Sequence, residues 1–317
     1  ICGSLRVFHE LEEALAEFKQ TEAALSFSTG YAAAVGTITA LIGKEDIVII
    51  DKLVHACVVD AARMSGAKLR VFKHNDLSDL ERILKWADEK GRDAKPEVRN
   101  VLIITESVFS MDGDVAPLNE IVQLKEKHGA WLMVDEAHAT GLFGDHRRGL
   151  IEQCNVSENV EIQMGTLGKA VGASGGFICG SKKLVDLLIN SARSFIFSTA
   201  PVPAAAAAAQ AGIQLIQGEE GRERCTRVWS SAEHANAALN CPDNVVSPIL
   251  PIHIGEEADA VRVADSLRER GFLVPAIRYP TVARGSARLR MTLSADHTSE
   301  QIDSLATALN EIIHQKS

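Results

Sequence analysis

The chain has no Cys-x-x-Cys pair and no closely spaced Cys and His residues of the kind that bind zinc. Its six cysteines are scattered, which argues against structural disulfides and favours a reducing compartment. No uninterrupted apolar run is long enough to span a bilayer. We therefore expect no metal site, no membrane segment and a cytoplasmic location.

An excess of positive charge is also absent. The 317 residues include 33 Lys and Arg against 42 Asp and Glu, a formal net charge of −9. This balance argues against a protein whose main task is to bind nucleic acid, and Arg147-Arg148 and Lys182-Lys183 are too short to change that. What is present is an ordinary globular composition, 46% hydrophobic and 24% charged, in a chain long enough for two domains.

Strand and helix patterns alternate over the first two thirds of the chain. Short β-branched or apolar runs predict strands at 47–50, 69–72, 101–104, 131–134, 162–164 and 176–179. Helical patterns lie between them, such as Ser78–Lys90, where Ser78 and Glu81 predict a capping box and Gly91 a stop. Alanine-rich Pro203–Leu215 predicts a buried helix. Because apolar strands separated by helices indicate a mostly parallel sheet, the predicted fold is α/β.

The pattern changes after about Gly218. A polar helix is followed by predicted strands at 249–254, near Phe272 and at 289–293, and by helices from Ala258 and after the capping box Thr298-x-x-Gln301. This is an α+β unit of ordinary domain size. We therefore expect a large domain over residues 1–216 and a small C-terminal domain over residues 217–317.

The motif Asp135-Glu136-Ala137-His138 has two possible meanings. The letters DEAH occur in nucleic-acid-dependent ATPases, which also need G-x-x-x-x-G-K-[ST] earlier in the chain to hold phosphates. The nearest match ends at Gly168-Lys169-Ala170. It has Gln163 in place of the first glycine, lacks the hydroxyl at position 170 and follows the DEAH letters. The ATPase interpretation is therefore excluded.

Asp135 and Lys169 together suggest pyridoxal 5′-phosphate (PLP) chemistry. Asp135 follows an apolar strand at the edge where open α/β sheets bind ligands, and Lys169 lies in the small-residue loop Gly165–Gly176. Such a pair suggests a Schiff-base lysine and the acidic partner of a pyridinium nitrogen. Residues Ser28–Tyr31 at a helix start suit a phosphate, and His55 suits stacking on a ring. Each feature alone has an ordinary structural explanation, but their joint occurrence in this order favours PLP.

The chain resembles the α-oxoamine synthases, fold-type I PLP-dependent enzymes that join an amino acid to an acyl thioester. The motifs that carry the resemblance are FSTGYAA (27–33), ESVFSMDGD (106–114), VDEAH (134–138), GTLGK (165–169), FSTA (197–200), YPTV (279–282) and RLRMTLSA (288–295). Within that family it looks most similar to the 8-amino-7-oxononanoate synthases of biotin biosynthesis. The resemblance implies a mostly parallel-sheet PLP-binding large domain, a smaller C-terminal α+β domain and a homodimer.

The resemblance also implies roles for single residues. Lys169 would form the Schiff base and later remove the α-proton, Asp135 would pair with the pyridinium nitrogen, His138 would hydrogen-bond the ring's phenolic oxygen and His55 would stack on the ring. The other implied cofactor-binding residues are Gly30, Tyr31 and Thr166 near the phosphate, Glu106 and Ser110 in the same pocket, and Ser198 and Thr199, which would reach the phosphate of the neighbouring subunit.

Two arginines of one predicted strand compete for the amino-acid carboxylate. Arg290 and Arg288 share a face, so geometry does not separate them. The resemblance assigns the carboxylate to Arg290, by a bidentate contact, and leaves Arg288 to a surface salt bridge. Thr292 is a second substrate candidate. Ala34 and Ala139 depart from the family pattern, which commonly has Asn and Gly there.

The implied reaction is the decarboxylative condensation of an amino acid with an acyl thioester. L-alanine and a pimeloyl thioester, carried by CoA or acyl carrier protein, would give 8-amino-7-oxononanoate. Glycine and acetyl-CoA, the substrates of 2-amino-3-ketobutyrate CoA ligase, are an alternative within the family. A catalytically silent scaffold subunit is an alternative from another class. The resemblance further implies a segment before Ile1 that helps to receive the acyl substrate.

Overall fold

The structure is a computed structural model that describes residues 4–92, 100–239 and 245–314. The chain divides into two compact units. The first comprises Ile1–Val108 and Ala116–Gly221, and the second comprises Phe109–Val115 and Arg222–Ser317. The C-terminal boundary thus falls five residues beyond the expected break after residue 216. The assignment of Phe109–Val115 to the second unit differs from the sequence-based expectation.

Contacts with the strand that carries the two arginines explain that assignment. The Arg288 guanidinium forms an ion pair with Asp112, and Nε of Arg290 donates to the carbonyl oxygen of Ser110. A β-carbon on Gly113 would lie 2.2 Å from the carbonyl oxygen of Ile249, so this segment packs directly on the second unit's backbone. No local sequence pattern predicts these long-range contacts.

A seven-stranded sheet runs through the described part of the first unit. In spatial order it is β1-β7-β6-β5-β4-β2-β3. Strands β2 to β6 run parallel, whereas β7 is antiparallel to both neighbours, β1 and β6. The strands are β1 (Ala23–Phe27), β2 (Ile47–Asp51), β3 (Lys68–Phe72), β4 (Val101–Glu106), β5 (Trp131–Asp135), β6 (Ile162–Thr166) and β7 (Gly176–Gly180). The predicted mostly parallel α/β sheet is confirmed.

Helices cover the sheet and bury its apolar residues. They are α1 (Arg6–Lys19), α2 (Gly30–Leu41), α3 (Ala56–Met64), α4 (Leu77–Arg92), α5 (Leu118–Lys127), α6 (Leu150–Gln153), α7 (Lys182–Ser191), α8 (Arg193–Ile196) and α9 (Pro203–Gln217). Helices α2, α3 and α7 share one apolar core with the sheet, and α1 and α9 share another with β1 and β7. Side chains alternate between the two faces of a strand, so Ile49 and Ile50 lie on opposite faces of the sheet. Both are buried, because both faces are covered.

The second unit contains a three-stranded antiparallel sheet in the order β8-β10-β9. Its elements are α10 (Glu219–Ala238), β8 (Ile249–Gly255), α11 (Glu257–Glu269), β9 (Ala276–Ile277), β10 (Ala287–Thr292) and α12 (Ser299–His314). Helix α12 begins with the predicted capping box, in which Thr298 and Gln301 exchange side-chain-to-backbone hydrogen bonds of 3.3 and 3.0 Å. The strand predicted near Phe272 is instead the short β9, four residues later.

Predictions about two helices were wrong in detail. Helix α4 begins at Leu77 and is capped by Asp76, whose Oδ1 accepts from the N–H of Asp79 at 2.9 Å, so Ser78 makes no capping box. The helix also continues past Gly91. Helix α9 is buried along one face only, through residues such as Ala206 and Ile213. In the described part of the chain, no helix is both long and apolar enough to cross a membrane.

Candidate active site

Four neighbouring parallel strands end in polar residues at one edge of the sheet. The last residues of β2, β4, β5 and β6 are Asp51, Glu106, Asp135 and Thr166. The three carboxyl groups belong to residues that are at most 5% exposed, which is rare for acidic side chains and needs specific partners. The carboxyl ends of parallel strands are also where ligands of open α/β sheets bind. This edge is therefore the candidate active site of the first unit.

Asp135 lies at the centre of this edge. It pairs in register with Glu106 of β4 and Met164 of β6, and its Oδ1 accepts from the N–H of Ala137 at 2.9 Å. Burial raises the pKa of the Asp135 carboxyl above its ordinary value, while that N–H and the positive charge of Lys169 and His55 act in the opposite direction. Burial thus outweighs the stabilisation that the nearby charges give to the carboxylate form. A further cation beside Asp135 would stabilise that form.

Lys169 and His138 meet beside Asp135. Nζ of Lys169 lies 2.9 Å from Nε2 of His138, which is hydrogen-bonding distance. Both side chains are accessible, since Lys169 is exposed and His138 half-buried. Three residues that the sequence analysis selected from two separate motifs therefore lie together in the structure.

Small residues bring the two chain segments into contact. Lys169 lies in the loop between β6 and β7, which is closed by hydrogen bonds between Leu167 and the backbone of Ala173 and Gly175. Gly141, just after His138, has a φ of +88°, and a β-carbon there would lie 2.7 Å from the β-carbon of Ala170. Glycine is required at this approach because a side chain would push the lysine loop away.

His55 forms the opposite side of the same edge. It is the N-cap of α3, where its Nδ1 accepts from the N–H of Cys57 at 3.2 Å, so a neutral ring carries its proton on Nε2. Its backbone N–H donates to Oε1 of buried Glu106. Glu106 therefore fixes the position of His55. Burial, with the negative charge of Asp135 and Glu106, raises the pKa of Cys57 to about 12, so this thiol is not a nucleophile at neutral pH.

The buried Asp51 carboxylate holds the loop that leads to His55. Asp51 is fully buried and accepts hydrogen bonds from the backbone of Leu53 (2.7 Å) and Asn75 (2.9 Å) and from Nδ1 of His74 (3.0 Å). These bonds join the end of β2 to the loop after β3. Sequence reasoning did not select Asp51, although an acidic residue ending a fully apolar strand is a detectable pattern.

The N-terminus of α2 lies against the end of β6. Thr29 caps the helix by accepting from the N–H of Ala32 at 3.0 Å, and a β-carbon on Gly30 would lie 3.8 Å from Cβ of Thr166. A β-carbon on Gly176 would lie 2.6 Å from the N and Cα of Gly30, so only glycine allows this approach. Helix N-termini bind anions through unpaired N–H groups and the helix dipole.

Three selected residues of the first unit have exposed side chains. Tyr31 is 49% exposed, and its hydroxyl donates to Asp60 at 3.1 Å, while its backbone N–H lies in the first turn of α2. Ser198 and Thr199 lie in the exposed segment between α8 and α9. The structure therefore leaves the expected roles of Ser198 and Thr199 as predictions.

The second unit distinguishes the two arginines. The side chain of Arg288 is 8% exposed and is ion-paired with Asp112, so its expected surface salt bridge is in fact a buried one. Arg290 is half-buried, donates from Nε to the Ser110 carbonyl and from Nη1 to Oγ1 of Thr292 at 2.7 Å, and burial lowers its pKa. No carboxylate of the described residues forms a salt bridge with Arg290. It is therefore the arginine of this strand that is suited to an external carboxylate.

Residues 1–309 match the model of the aminotransferase class I and II family. The chain belongs to this family. It is 46% identical to an 8-amino-7-oxononanoate synthase of Alkalilimnicola ehrlichii, over 97% of this chain and 77% of the relative. It is 44% identical to the 8-amino-7-oxononanoate synthase of Geobacter sulfurreducens, over 98% of this chain and 79% of the relative.

Solved structures of the aminotransferase class I and II fold match over nearly the whole chain. A serine palmitoyltransferase from S. paucimobilis, with a bound PLP–myriocin aldimine, has a TM-score of 0.92 and 31% identity, covering 99% of this chain and 78% of that one. An 8-amino-7-oxononanoate synthase from Francisella tularensis has a TM-score of 0.83 and 28% identity, covering 100% and 90%. The expected fold-type I architecture and the resemblance to the α-oxoamine synthases are confirmed.

Sequence reasoning missed a second charged pair of this aminotransferase-family site. Glu136 was considered only as one letter of DEAH, and Lys19 was not considered. Lys19 follows Leu15 by four residues on the buried face of α1, so helical spacing places it at a core position. A lysine at such a position requires a buried anionic partner, and Glu136 is that partner.

Proposed function

We propose that the protein is a PLP-dependent α-oxoamine synthase that condenses L-alanine with a pimeloyl thioester, carried by CoA or acyl carrier protein, to give 8-amino-7-oxononanoate, CO2 and the free thiol. The observation that carries the proposal is the contact of Lys169 with His138 (2.9 Å) beside the buried carboxyl group of Asp135. The identity of 46% to an 8-amino-7-oxononanoate synthase supports the choice of substrates.

The residues at the sheet edge fit PLP. The cofactor supplies an aldehyde that binds amines and a cationic ring that accepts electrons when a bond at the substrate's α-carbon breaks. Asp135 would hold the ring nitrogen, His138 the ring oxygen and Lys169 the aldehyde carbon. The N–H groups of Gly30 and Tyr31, with the Thr166 hydroxyl, would hold the phosphate, a role suited to the start of α2. His55 would stack on the ring, with Glu106 fixing its position.

Asp135 has the electrostatic surroundings that this role needs. Because burial raises its pKa, the carboxylate would gain stability from a protonated ring nitrogen beside it. The same interaction would keep that nitrogen protonated. Asp135 and the cofactor would therefore each stabilise the charged form of the other.

Lys169 would act twice in the reaction. Its amine would hold the aldehyde carbon of the cofactor until the amino group of the substrate takes that place. The released amine would remove the α-proton of the substrate, for which it must be neutral. His138, 2.9 Å away, accepts a hydrogen bond from the amine or shares its proton, so it would keep Nζ directed at the cofactor.

Arg290 would bind the carboxylate of the amino acid. Its planar guanidinium offers paired donors, and Ser110 and Thr292 hold it in one orientation. Thr292 would thus act by orienting Arg290.

The enzyme would act as a homodimer in the cytoplasm. The exposed segment around Ser198 and Thr199 also carries Ile196, Phe197 and Val202, which are 43%, 70% and 67% exposed. Neighbouring exposed apolar residues are unusual for a monomer surface and suit an interface. A second copy covering this segment would bring Ser198 and Thr199 to the partner's phosphate site.

A substrate matrix tests the proposal. The purified protein with PLP is supplied with L-alanine, glycine or L-serine, each combined with a pimeloyl, acetyl or palmitoyl thioester, and the products are weighed by mass spectrometry. Alanine with the pimeloyl thioester should give the largest kcat/KM, and Lys169→Ala should give no product. Turnover of glycine with acetyl-CoA alone, or of serine with palmitoyl-CoA alone, would replace the proposed substrates. A protein without turnover or spectral response to amino acids would be a scaffold.

A further inference from the structure

A fully buried ion pair lies directly behind the proposed PLP site. Nζ of Lys19, at the end of α1, is 2.8 Å from Oε2 of Glu136, and both side chains are 1% exposed. Glu136 is the residue next to Asp135, in the turn that leads to His138. Among the described residues, no other lysine has so small an exposed fraction as Lys19.

Every polar group of this pair is satisfied. Lys19 also donates to Oγ1 of Thr140 at 3.0 Å and to the carbonyl oxygen of Arg148, and Oε1 of Glu136 accepts from the N–H of Ile151 at 2.9 Å. Lys19 thus joins three separate segments of the chain, namely α1, the turn after β5 and the loop before α6.

The backbone of Glu136 is fixed as firmly as its side chain. Its N–H donates to the carbonyl oxygen of Met164 at 2.8 Å, and its carbonyl accepts from the N–H groups of Ala139 and Thr140 at 3.0 and 2.9 Å. Gly149, with a φ of +141°, leaves room for the carboxylate, since a β-carbon there would lie 2.2 Å from Oε2 of Glu136. The position of His138, inside this turn, therefore depends on the place of Glu136.

Stability alone does not account for such a pair. Removing two charges from water costs about as much as their attraction returns, and apolar residues of the same volume often stabilise a protein equally well. What the ion pair adds is a unique geometry, because both partners must keep their hydrogen bonds. The feature that this geometry defines is the turn between Asp135 and His138.

We propose that Lys19 and Glu136 are positioning residues for PLP. Their buried ion pair holds the turn 136–140 so that the Asp135 carboxyl group and the His138 imidazole both face the cofactor. This inference rests on the proposed PLP-dependent function. Neither residue touches the cofactor, and both act through the residues that do.

The chain contains a matched control at the other end of the same strand. Lys125 is 7% exposed and forms an ion pair with Glu161 at 2.5 Å, and Oε2 of Glu161 accepts from the N–H of Leu132 in β5 at 2.7 Å. This pair fixes the start of β5, whereas Lys19 and Glu136 fix the turn that follows its end. Lys125→Met therefore removes the charge of another buried lysine, paired with a carboxylate that is 38% exposed, at the end of the strand opposite Asp135.

The test compares PLP binding by the apo forms of the parent protein, Lys19→Met and Lys125→Met. Affinity is measured by absorbance titration at a temperature where all three are folded. We expect a dissociation constant at least about tenfold higher for Lys19→Met and less than about twofold higher for Lys125→Met. The double variant Lys19→Met/Glu136→Gln should bind more tightly than Lys19→Met, because it no longer buries an unpaired carboxylate.

A spectroscopic readout separates positioning from loss of stability. The pH midpoint of the bound cofactor's visible absorbance should move in Lys19→Met, since His138 and the charge near Asp135 change, and stay unchanged in Lys125→Met. If Lys19→Met does not fold, Thr140→Val removes one hydrogen bond of Lys19 and should raise the dissociation constant about threefold. PLP affinity and pH midpoint equal to those of Lys125→Met, in Lys19→Met or in the Thr140→Val variant that replaces it, would overturn this inference. Absence of a visible cofactor band in the parent protein would overturn the proposed function itself.

Discussion

At the scale of single residues, the candidate site depends most on the buried carboxyl group of Asp135. Burial raises the pKa of this carboxyl above its ordinary value. In the apo protein this raised pKa means that folding favours the protonated carboxyl. This contribution to the free energy of unfolding is fully present below the pKa of an aspartate in the unfolded chain, about 3.9. It is lost as the pH rises through the higher pKa that Asp135 has in the folded protein.

The first prediction concerns Asp135→Asn. Relative to this variant, the wild-type apo protein should lose stability as pH rises through the folded pKa of Asp135, because the asparagine cannot ionise. The PLP affinity of the variant should fall at least about tenfold, or ~1.4 kcal/mol, because the ring nitrogen loses its counter-ion. Denaturant unfolding of both apo proteins across pH and a PLP titration measure the two effects. A variant that binds PLP as tightly as wild type would contradict the role of Asp135.

The second prediction separates the arginines of β10. Arg290→Lys should raise the KM for the amino acid at least about tenfold with little change in melting temperature, because lysine does not reproduce a paired guanidinium contact. Arg288→Lys should mainly destabilise the protein, by about 1–3 kcal/mol, because it weakens a partly buried ion pair with Asp112. Steady-state kinetics and thermal unfolding provide the readouts. The reverse pattern, with KM changed by Arg288→Lys alone, would exchange the two roles.

Sequence patterns selected candidate residues that the structure brings together where each belonged to a motif in a fixed order, and the roles of these residues stay predictions. Asp135, His138 and Lys169 were selected from strand-end and loop patterns, and they lie together in the structure. Lys19 was missed because a lone lysine at the end of an amphipathic helix usually reaches solvent. Its partner Glu136 lies 117 residues away, and no local rule connects them.

At the scale of secondary-structure elements, the start of α2 and the start of β7 are joined by a contact that tolerates no side chain. This contact places the N–H groups of α2 beside Thr166, where the phosphate of PLP is proposed to bind. The loop of Lys169 connects β6, which ends at Thr166, to the same strand β7. One element junction therefore sets the position of both the phosphate site and the lysine.

The third prediction tests this junction with Gly176→Ala. The added methyl group would lie 2.6 Å from the backbone of Gly30 and should cost about 1–3 kcal/mol of stability while weakening PLP binding. Gly43→Ala is the control, because Gly43 lies beyond the other end of α2 and a β-carbon there meets nothing closer than 3.9 Å. Thermal unfolding and PLP titration of both variants give the comparison. Equal PLP affinity in the two variants would mean that the junction does not shape the phosphate site.

Helix boundaries were only partly predictable, for a physical reason. Thr298 and Gln301 satisfy each other's backbone groups as the sequence suggested, whereas Ser78 with Glu81 offered the same pattern and was displaced by Asp76 two residues earlier. When two possible N-cap residues lie this close together, the sequence alone does not show which of them begins the helix. The outcome depends on where the preceding loop, held by Asp51 and Asn75, directs the chain.

At the scale of the whole molecule, the order of strands and helices determined most of what could be predicted. Apolar strands separated by helices specify a parallel sheet, and the structure has five such strands side by side among its described residues. The transfer of Phe109–Val115 to the second unit could not be predicted. It depends on Arg288, Arg290 and Ile249, which lie more than a hundred residues further along the chain.

The fourth prediction concerns assembly. Phe197→Asp should convert the proposed dimer to monomers and lower PLP affinity, because a charge on a 70% exposed apolar residue opposes burial against a second copy. Leu273→Asp is the control, since Leu273 is 79% exposed in the second unit and has no proposed part in the dimer. Light scattering and PLP titration are the measurements. A wild-type protein that is monomeric with PLP bound would contradict the shared site.

The most direct test of the central claim is to locate the cofactor on the chain. The protein loaded with PLP is reduced with borohydride, digested and analysed by peptide mass spectrometry. The account predicts a single phosphopyridoxyl group on Lys169, with none on Lys19 or Lys125. A modified lysine elsewhere in the first unit, or an unmodified Lys169 in protein that binds PLP, would contradict it.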